Sequence, residues 1–302
     1  MPKNDSPGRW SRAGFARFAW GVLWYNIAVI LWGAFVRASG SGAGCGNRWP
    51  LCDGTVMLVS PNLHKAIEFT HRAMTGLDTP LIALLVLWAF GAFPRGHAVR
   101  RAAMLSGVFL VTEALIGALL VKIQHVAQNA DAYTESAHLV NTLILIACLT
   151  LTAWFGMGNP APKLRGKAAW MAAISLAAVM LLSITGTIAA LGDTLFPAPS
   201  LAAGLAQDFS PASSVLLRLR GLHPLFAAAV AAWLTLYAVG RLRSARWAGL
   251  RVVIVVWIQL LAGLLNFLMQ APVWMQIVHL LIADLLWVSL VLLAAAAAPV
   301  SS

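Results

Sequence analysis

Residues Trp274–Ala298 read WMQIVHLLIADLLWVSLVLLAAAAA, with one histidine, one aspartate and no lysine or arginine. A bilayer core of about 30 Å is crossed by about 20 apolar residues in helical form, so this stretch is a membrane span. Six further windows meet the same requirement: Phe18–Val36, Ala102–Val121, Ala137–Met157, Ala168–Leu191, Leu222–Gly240 and Val252–Met269. An eighth is shorter and mixed. Only Leu81–Phe93 is plainly apolar, but helical character extends back to about Pro61, which makes a second span with an unusually polar outer half. The first apolar run is longer than the roughly 7–15 residues of a signal-peptide core and reads as a span.

Composition agrees with eight spans. Of the 302 residues, 60% are hydrophobic and 10% charged, against about 25% charged in a soluble domain. A water-soluble enzyme and a disordered chain are excluded, and three cysteines exclude a disulfide scaffold. The net charge of +11 raises nucleic acid as a partner, which the distribution of cations removes. With both termini on one side, 14 of the 21 Lys and Arg residues fall there, among them Lys3, Arg9 and Lys163. Seven fall on the other side: Arg37, Arg48, Lys65, Arg72, Lys122, Arg218 and Arg220. The positive-inside rule then places both termini in the cytoplasm, and the expected location is the bacterial plasma membrane.

The chain repeats itself. Gly33-Ala34-Phe35-Val36-Arg37-Ala38-Ser39-Gly40 resembles Gly186-Thr187-Ile188-Ala189-Ala190-Leu191-Gly192 at an offset of 153. Glu113-Ala114-Leu115-Ile116-Gly117 resembles Gln259-Leu260-Leu261-Ala262-Gly263 at 146, and His138-Leu139 resembles His279-Leu280 at 141. Three ordered matches near one period indicate two pseudo-symmetric four-helix bundles: an N-terminal half, 1–160, and a C-terminal half, 161–302, divided at the basic loop Gly158–Lys167.

Four histidines, His71, His138, His223 and His279, fall one in each even-numbered span, each near its outer end. Two histidines on facing helices of a four-helix bundle suit axial ligation of heme iron. Zinc asks for three or four ligands in one place, and each half offers two histidines. His64, His97 and His125 fall at helix ends or in loops. Heme propionates near the outer surface would find cations in Arg37, Arg72, Lys122, Arg218 and Arg220, residues that snorkelling at helix ends accounts for equally.

The halves differ in two places. Glu68, His71, Thr75 and Asp78 follow helical spacing, so they form one polar stripe that faces the bundle interior; the residue three before His223 is instead Arg220. Glu68 is read either as the ion-pair partner of Lys65 or Arg72, or as a catalytic carboxylate that donates a proton or stabilises positive charge beside a bound heme. The first outer loop carries Cys45 and Cys52 on the oxidising side; its counterpart Gly192–Ser214 carries no cysteine. The pair is either a staple or a redox relay. Cys148 is read as packing.

These residues resemble the heme A synthase family. The resemblance rests on Gly33-Ala34-Phe35-Val36-Arg37, on Trp49-Pro50-Leu51-Cys52-Asp53-Gly54, on Glu68-Phe69-Thr70-His71-Arg72 (that family's Glu-x-x-His-Arg signature), and on His138-Leu139, Leu222-His223-Pro224 and His279. It implies oxidation of the C8 methyl of heme O to a formyl group by two hydroxylations and loss of water, giving heme A for terminal oxidases. It further implies that His71 and His138 ligate substrate heme O, that His223 and His279 ligate a retained heme b, that Glu68 is the catalytic carboxylate, and that Cys45 and Cys52 are the loop pair of the cysteine-containing subgroup. The glycine-rich surroundings of Cys45 depart from the family pattern. The partners so implied are heme O synthase and an electron donor the residues do not identify, and a homo-oligomer is compatible with them. A non-catalytic di-heme cytochrome relaying electrons from quinol is the competing reading of the four histidines, and a transporter that of the duplication.

Overall fold

The computed structural model describes residues 12–46, 48–55, 62–123, 128–162 and 165–296. Lys3, Arg9 and Lys163, counted above on the inner side, and His125 lie outside the described residues. Nine helices occur among the described residues: α1 (Arg12–Ala38), α2 (Leu63–Ala92), α3 (Ala98–Ile123), α4 (Gln128–Gly156), α5 (Gly166–Leu195), α6 (Leu201–Asp208), α7 (Val215–Gly240), α8 (Arg246–Leu268) and α9 (Val273–Ala295). All except α6 are long and apolar enough to cross a membrane, so the protein is a multi-pass, all-α membrane protein.

The polar outer half of the second span is helical throughout. Asn62 caps α2, its side chain accepting from the Lys65 backbone N–H at 2.8 Å, which satisfies one of the free donors of the first turn. The second outer loop holds more order than its composition announces: α6, eight residues long, is capped by Ser200.

Helices α1 to α4 pack in a ring, each touching the next and α4 closing onto α1; α5, α7, α8 and α9 form a second ring in the same order. The rings meet through α4, α9, α1 and α5. At this seam the Trp287 indole donates to the Leu143 carbonyl at 2.7 Å. An indole N–H has no water to bond in this interior, so the exchange fixes α9 against α4.

Packing is uneven along the membrane normal. The buried core gathers in the halves of the helices on the side where α1 begins and α9 ends: Phe15, Leu23, Leu85, Ala89, Val99, Leu149, Leu234, Val252, Leu290 and Leu293. Away from this layer most side chains are only partly buried, as along residues 182–190 of α5. Each ring is thus solid on that side and looser at the level of the four histidines.

Candidate functional site

The four histidines share one construction. His71 on α2 packs on Gly33 of α1, His138 on α4 on Gly117 of α3, His223 on α7 on Gly186 of α5, and His279 on α9 on Gly263 of α8. A Cβ at Gly33 would stand 2.8 Å from His71 Cε1, at Gly263 3.0 Å from His279 Cε1, and at Gly186 3.2 Å from His223 Cε1. Those three positions are glycine because the imidazole occupies the space of a side chain. At Gly117 the distance is 3.8 Å, an ordinary contact. Within each ring the two imidazoles lie in electrostatic reach of one another, His71 with His138 and His223 with His279.

The rings differ in what surrounds the imidazoles. Glu113 on α3 lies with Oε1 3.3 Å from His138 Nδ1, and it also receives Asn141 Nδ2 at 2.5 Å and the Thr142 hydroxyl. Deeper in the same ring, Asn26 Nδ2 donates to Asp78 Oδ1 at 2.9 Å, and Asp78 is in electrostatic reach of Glu113. The polar stripe on α2 faces inward as its spacing predicts, with Glu68 and Asp78 both buried. In the second ring His223 Nδ1 is 2.8 Å from Thr185 Oγ1, and His279 Nε2 is 3.2 Å from Gln259 Nε2.

Glu68 is at the centre of the outer loop. Its Oε2 accepts the Cys45 backbone N–H at 2.7 Å, and its Oε1 accepts Arg72 Nε at 3.0 Å and Nη2 at 2.5 Å. Arg72 then donates to the carbonyls of Leu51 (2.6 Å), Gly46 (3.1 Å) and Arg48 (3.2 Å). Of the two ion-pair partners the sequence offers, Arg72 is the one engaged; Lys65 pairs with Asp53 at 2.5 Å instead. Cys45 and Cys52 are joined in a disulfide, and both are buried. Gly44 lies so close to the start of α2 that a Cβ there would meet His64 O at 2.7 Å, which accounts for one of the glycines around Cys45.

The second ring repeats this clamp with its charges exchanged. Arg220, at the position of Glu68, donates through Nε to Asp208 Oδ1 at 2.7 Å, and to Asp193 (3.3 Å), Gln207 (3.1 Å) and the Phe196 carbonyl (3.3 Å). It fastens α6 as Arg72 fastens the disulfide loop. The guanidinium donors of Arg72 and Arg220 are thus directed at protein acceptors. Arg37 bridges the rings weakly, to Thr194 at 3.4 Å and Gln276 at 3.5 Å. Arg218 donates to the Pro211 carbonyl at 2.7 Å, and Lys122 lies exposed in the last turn of α3.

At helix ends, His64 Nδ1 meets Ser41 Oγ at 3.0 Å and His97 Nδ1 accepts the Val99 N–H at 3.3 Å, both structural roles. Cys148 is a buried free thiol. Glu113, Gln259 and Asp208 were not singled out by sequence as site residues. The first two stand at the head of the repeated pentapeptide, so the repeat held the signal; Asp208 carried none.

The residues fit heme. Each ring offers a pair of imidazoles in its looser outer portion, and the Nδ1 atoms of His71, His138 and His279 are buried without a hydrogen-bond partner. Among the described residues no group of three or more His, Cys, Asp or Glu side chains gathers as a metal-ion site, so the two-histidine pattern is the arrangement on offer.

The chain resembles known proteins. The chain is 44% identical over 298 residues to a protein named protoheme IX farnesyltransferase from Thermus thermophilus, covering 95% of this chain and 49% of that protein. It is 36% identical over 97 residues to a heme A synthase of Exiguobacterium sibiricum (32% of this chain, 33% of that protein). It is 32% identical over 137 residues to a heme A synthase of Halalkalibacterium halodurans, 45% of each. The chain spans about half the length of the curated relatives it matches, or less. The match to a family description runs from residue 16 to residue 291, through all eight spans and all four histidines, and the chain belongs to the COX15-CtaA family of cytochrome oxidase assembly proteins.

Proposed function

We propose that this chain is a heme A synthase, an oxidoreductase that converts the C8 methyl of heme O to a formyl group. The conversion removes two hydrogens from the carbon and adds one oxygen, a four-electron oxidation. The observation that carries the reading is the one-sided polar interior: two rings hold equivalent histidine pairs, and only the N-terminal ring surrounds its pair with Glu68, Asp78 and Glu113. An electron carrier needs no such asymmetry; an enzyme with one reacting heme and one retained heme does.

In this reading the N-terminal half, 1–160, binds substrate heme O between His71 and His138, and the C-terminal half, 161–302, keeps heme b between His223 and His279. A retained heme b supplies one-electron redox chemistry when bound. Glu68 acts from one turn before His71. Its two oxygens are held by Arg72 and the Cys45 N–H, so the carboxylate is fixed in place to stabilise positive charge developing on the substrate. Arg37, Lys122 and Arg218 serve as propionate partners at the outer ends. Arg72 and Arg220 do not, because their donors hold the two outer loops. The Cys45–Cys52 disulfide is a staple for the loop that orients Glu68.

The location is the bacterial plasma membrane with both termini cytoplasmic, as the cation bias supports. The enzyme class that must supply a farnesylated heme is one that transfers a farnesyl group to protoheme. The Thermus relative bears that name on a chain about twice as long as the part matched here. The test is acid extraction of pigment from cells that make heme O, with and without this chain. Formyl heme is expected only with it. A yield of heme O alone overturns the reading in favour of a di-heme relay, and purified protein without a Soret band overturns heme binding altogether.

A further inference from the structure

Glu113 and Gln259 hold equivalent places, each four residues before the glycine on which a histidine packs, yet one is a carboxylate and the other a carboxamide. Two hydrogen bonds converge on Glu113, from Asn141 Nδ2 and the Thr142 hydroxyl, and His138 Nδ1 lies 3.3 Å from its Oε1. The amide of Asn141 is itself oriented. Its Nδ2 also donates to the Phe109 carbonyl at 2.8 Å, and its Oδ1 accepts from the Thr112 hydroxyl at 2.6 Å. Thr142 is tied to the His138 carbonyl at 2.9 Å. A carboxylate accepts and does not donate, and the oriented Asn141 amide presents a donor to one. His138 Nδ1 is buried and makes no hydrogen bond of its own, which leaves it open to the Glu113 carboxylate beside it. The second ring has none of this. Isoleucine and alanine (Ile282, Ala283) follow His279 where asparagine and threonine follow His138, the Oε1 of Gln259 has no partner, and a carboxamide is neutral in either orientation.

We propose that Glu113 is a positioning residue for His138: its carboxylate accepts the Nδ1–H, fixes the ring tautomer and leaves Nε2 as a strong donor to iron, a buttress His279 lacks. The proposal rests on the reading of both histidines as heme ligands. A metal-bound imidazole whose second nitrogen bonds a carboxylate is the more basic ligand, and stronger donation favours the oxidised iron. The two hemes are therefore unequal by construction. The one held by His71 and His138 is the easier to oxidise, which suits the half where oxidation is proposed.

The experiment uses the full chain in detergent, carrying its retained heme and loaded with ferric protoheme as the probe for the N-terminal ring. Glu113→Gln and Glu113→Asp are compared with the unaltered protein by redox titration and low-temperature electron paramagnetic resonance. Glu113→Gln is expected to move the N-terminal heme to a more positive potential and leave the other unchanged. Glu113→Asp, which keeps the charge but draws it back by one methylene, is expected to move the same heme less far in the same direction. Two hemes bound in both variants with neither potential moved overturns the proposal while leaving the ligand assignment standing. Should Glu113→Gln lose its heme, Glu113→Asp decides, a raised potential supporting the buttress and an unchanged one overturning it. Unaltered protein that takes up no protoheme beyond the retained heme overturns the ligand role of His71 and His138, and the proposal with it.

Discussion

At equivalent places inside the two rings, the N-terminal half carries Asn26, Asp78, Glu113, Asn141 and Thr142, and the C-terminal half carries Val179, Val230, Gln259, Ile282 and Ala283. The equivalences follow from the offsets of the glycines and histidines that the rings share: 153 for α1 and α5, 152 for α2 and α7, 146 for α3 and α8, and 141 for α4 and α9. The frame is common, the lining is not. Buried polar groups in a membrane interior cost free energy unless paired. The first ring keeps five together, where the matching positions of the second ring are apolar at four of five. The second ring has a buried acid of its own, Asp284, outside these positions. It lies one turn before Trp287 on the face of α9 turned to the seam between the rings, away from the set that lines the first ring.

The comparison can be broken or sharpened in several ways. The largest effect is expected from His223→Ala, which should abolish the retained heme while sparing uptake of heme by the N-terminal ring; a normal low-spin spectrum in this variant would refute the ligand. Next comes Glu68→Gln. It keeps the shape of the side chain but removes the charge and one of the two accepting oxygens, and turnover should fall by about 100-fold or more with heme binding intact. Unchanged heme A yield on acid extraction removes Glu68 from the mechanism.

The two clamps should then prove equal in weight though opposite in polarity. Arg72→Ala leaves Glu68 buried and unpaired, and Arg220→Ala does the same to Asp208. Each should cost about 3–5 kcal/mol, read as a drop in thermal unfolding temperature; a mild loss in either would mean that its outer loop is held by other contacts. Replacing Cys45 and Cys52 with serine acts on the first ring only. For so short a loop the loss is about 2 kcal/mol. Reduced protein level marks a staple, whereas a normal level with slow turnover marks a relay. The smallest effects separate the glycines. Gly33→Ala forces the His71 ring aside and should cost about 1–3 kcal/mol. Gly117→Ala meets no such obstacle and gains up to about 1 kcal/mol of helix propensity. Equal destabilisation by the two would contradict the packing distances.

Much of this was legible in the residues themselves. The Glu68–His71–Thr75–Asp78 spacing put one polar face on α2, and the structure turns that face inward. Gly33, Gly117, Gly186 and Gly263 were visible as repeat markers. That each lies beneath a histidine ring was not, because the contact joins two helices and no local pattern records which pairs meet. The cations were the least legible. Arg72 and Arg220 looked like candidates for propionates because of their depth, and both turned out to be directed at backbone carbonyls and acids of their own loops. A long guanidinium reaches partners on several segments at once, and its position in the chain does not say which. Helix α6 escaped notice because eight residues between two spans carry too short a period to read.

The sequence by itself determined the number of spans and set one of the four histidines in each even-numbered one. The bilayer imposes the spans locally, since each span must satisfy its own backbone and be apolar over about 20 residues. Only the tertiary structure decided which charges pair. It joined Glu68 to Arg72 and the Cys45 N–H, Arg220 to Asp208, and Glu113 to the His138 side of its ring. Pairing depends on distances of a few ångströms between segments far apart in the chain, and those distances exist only once the helices have closed into rings.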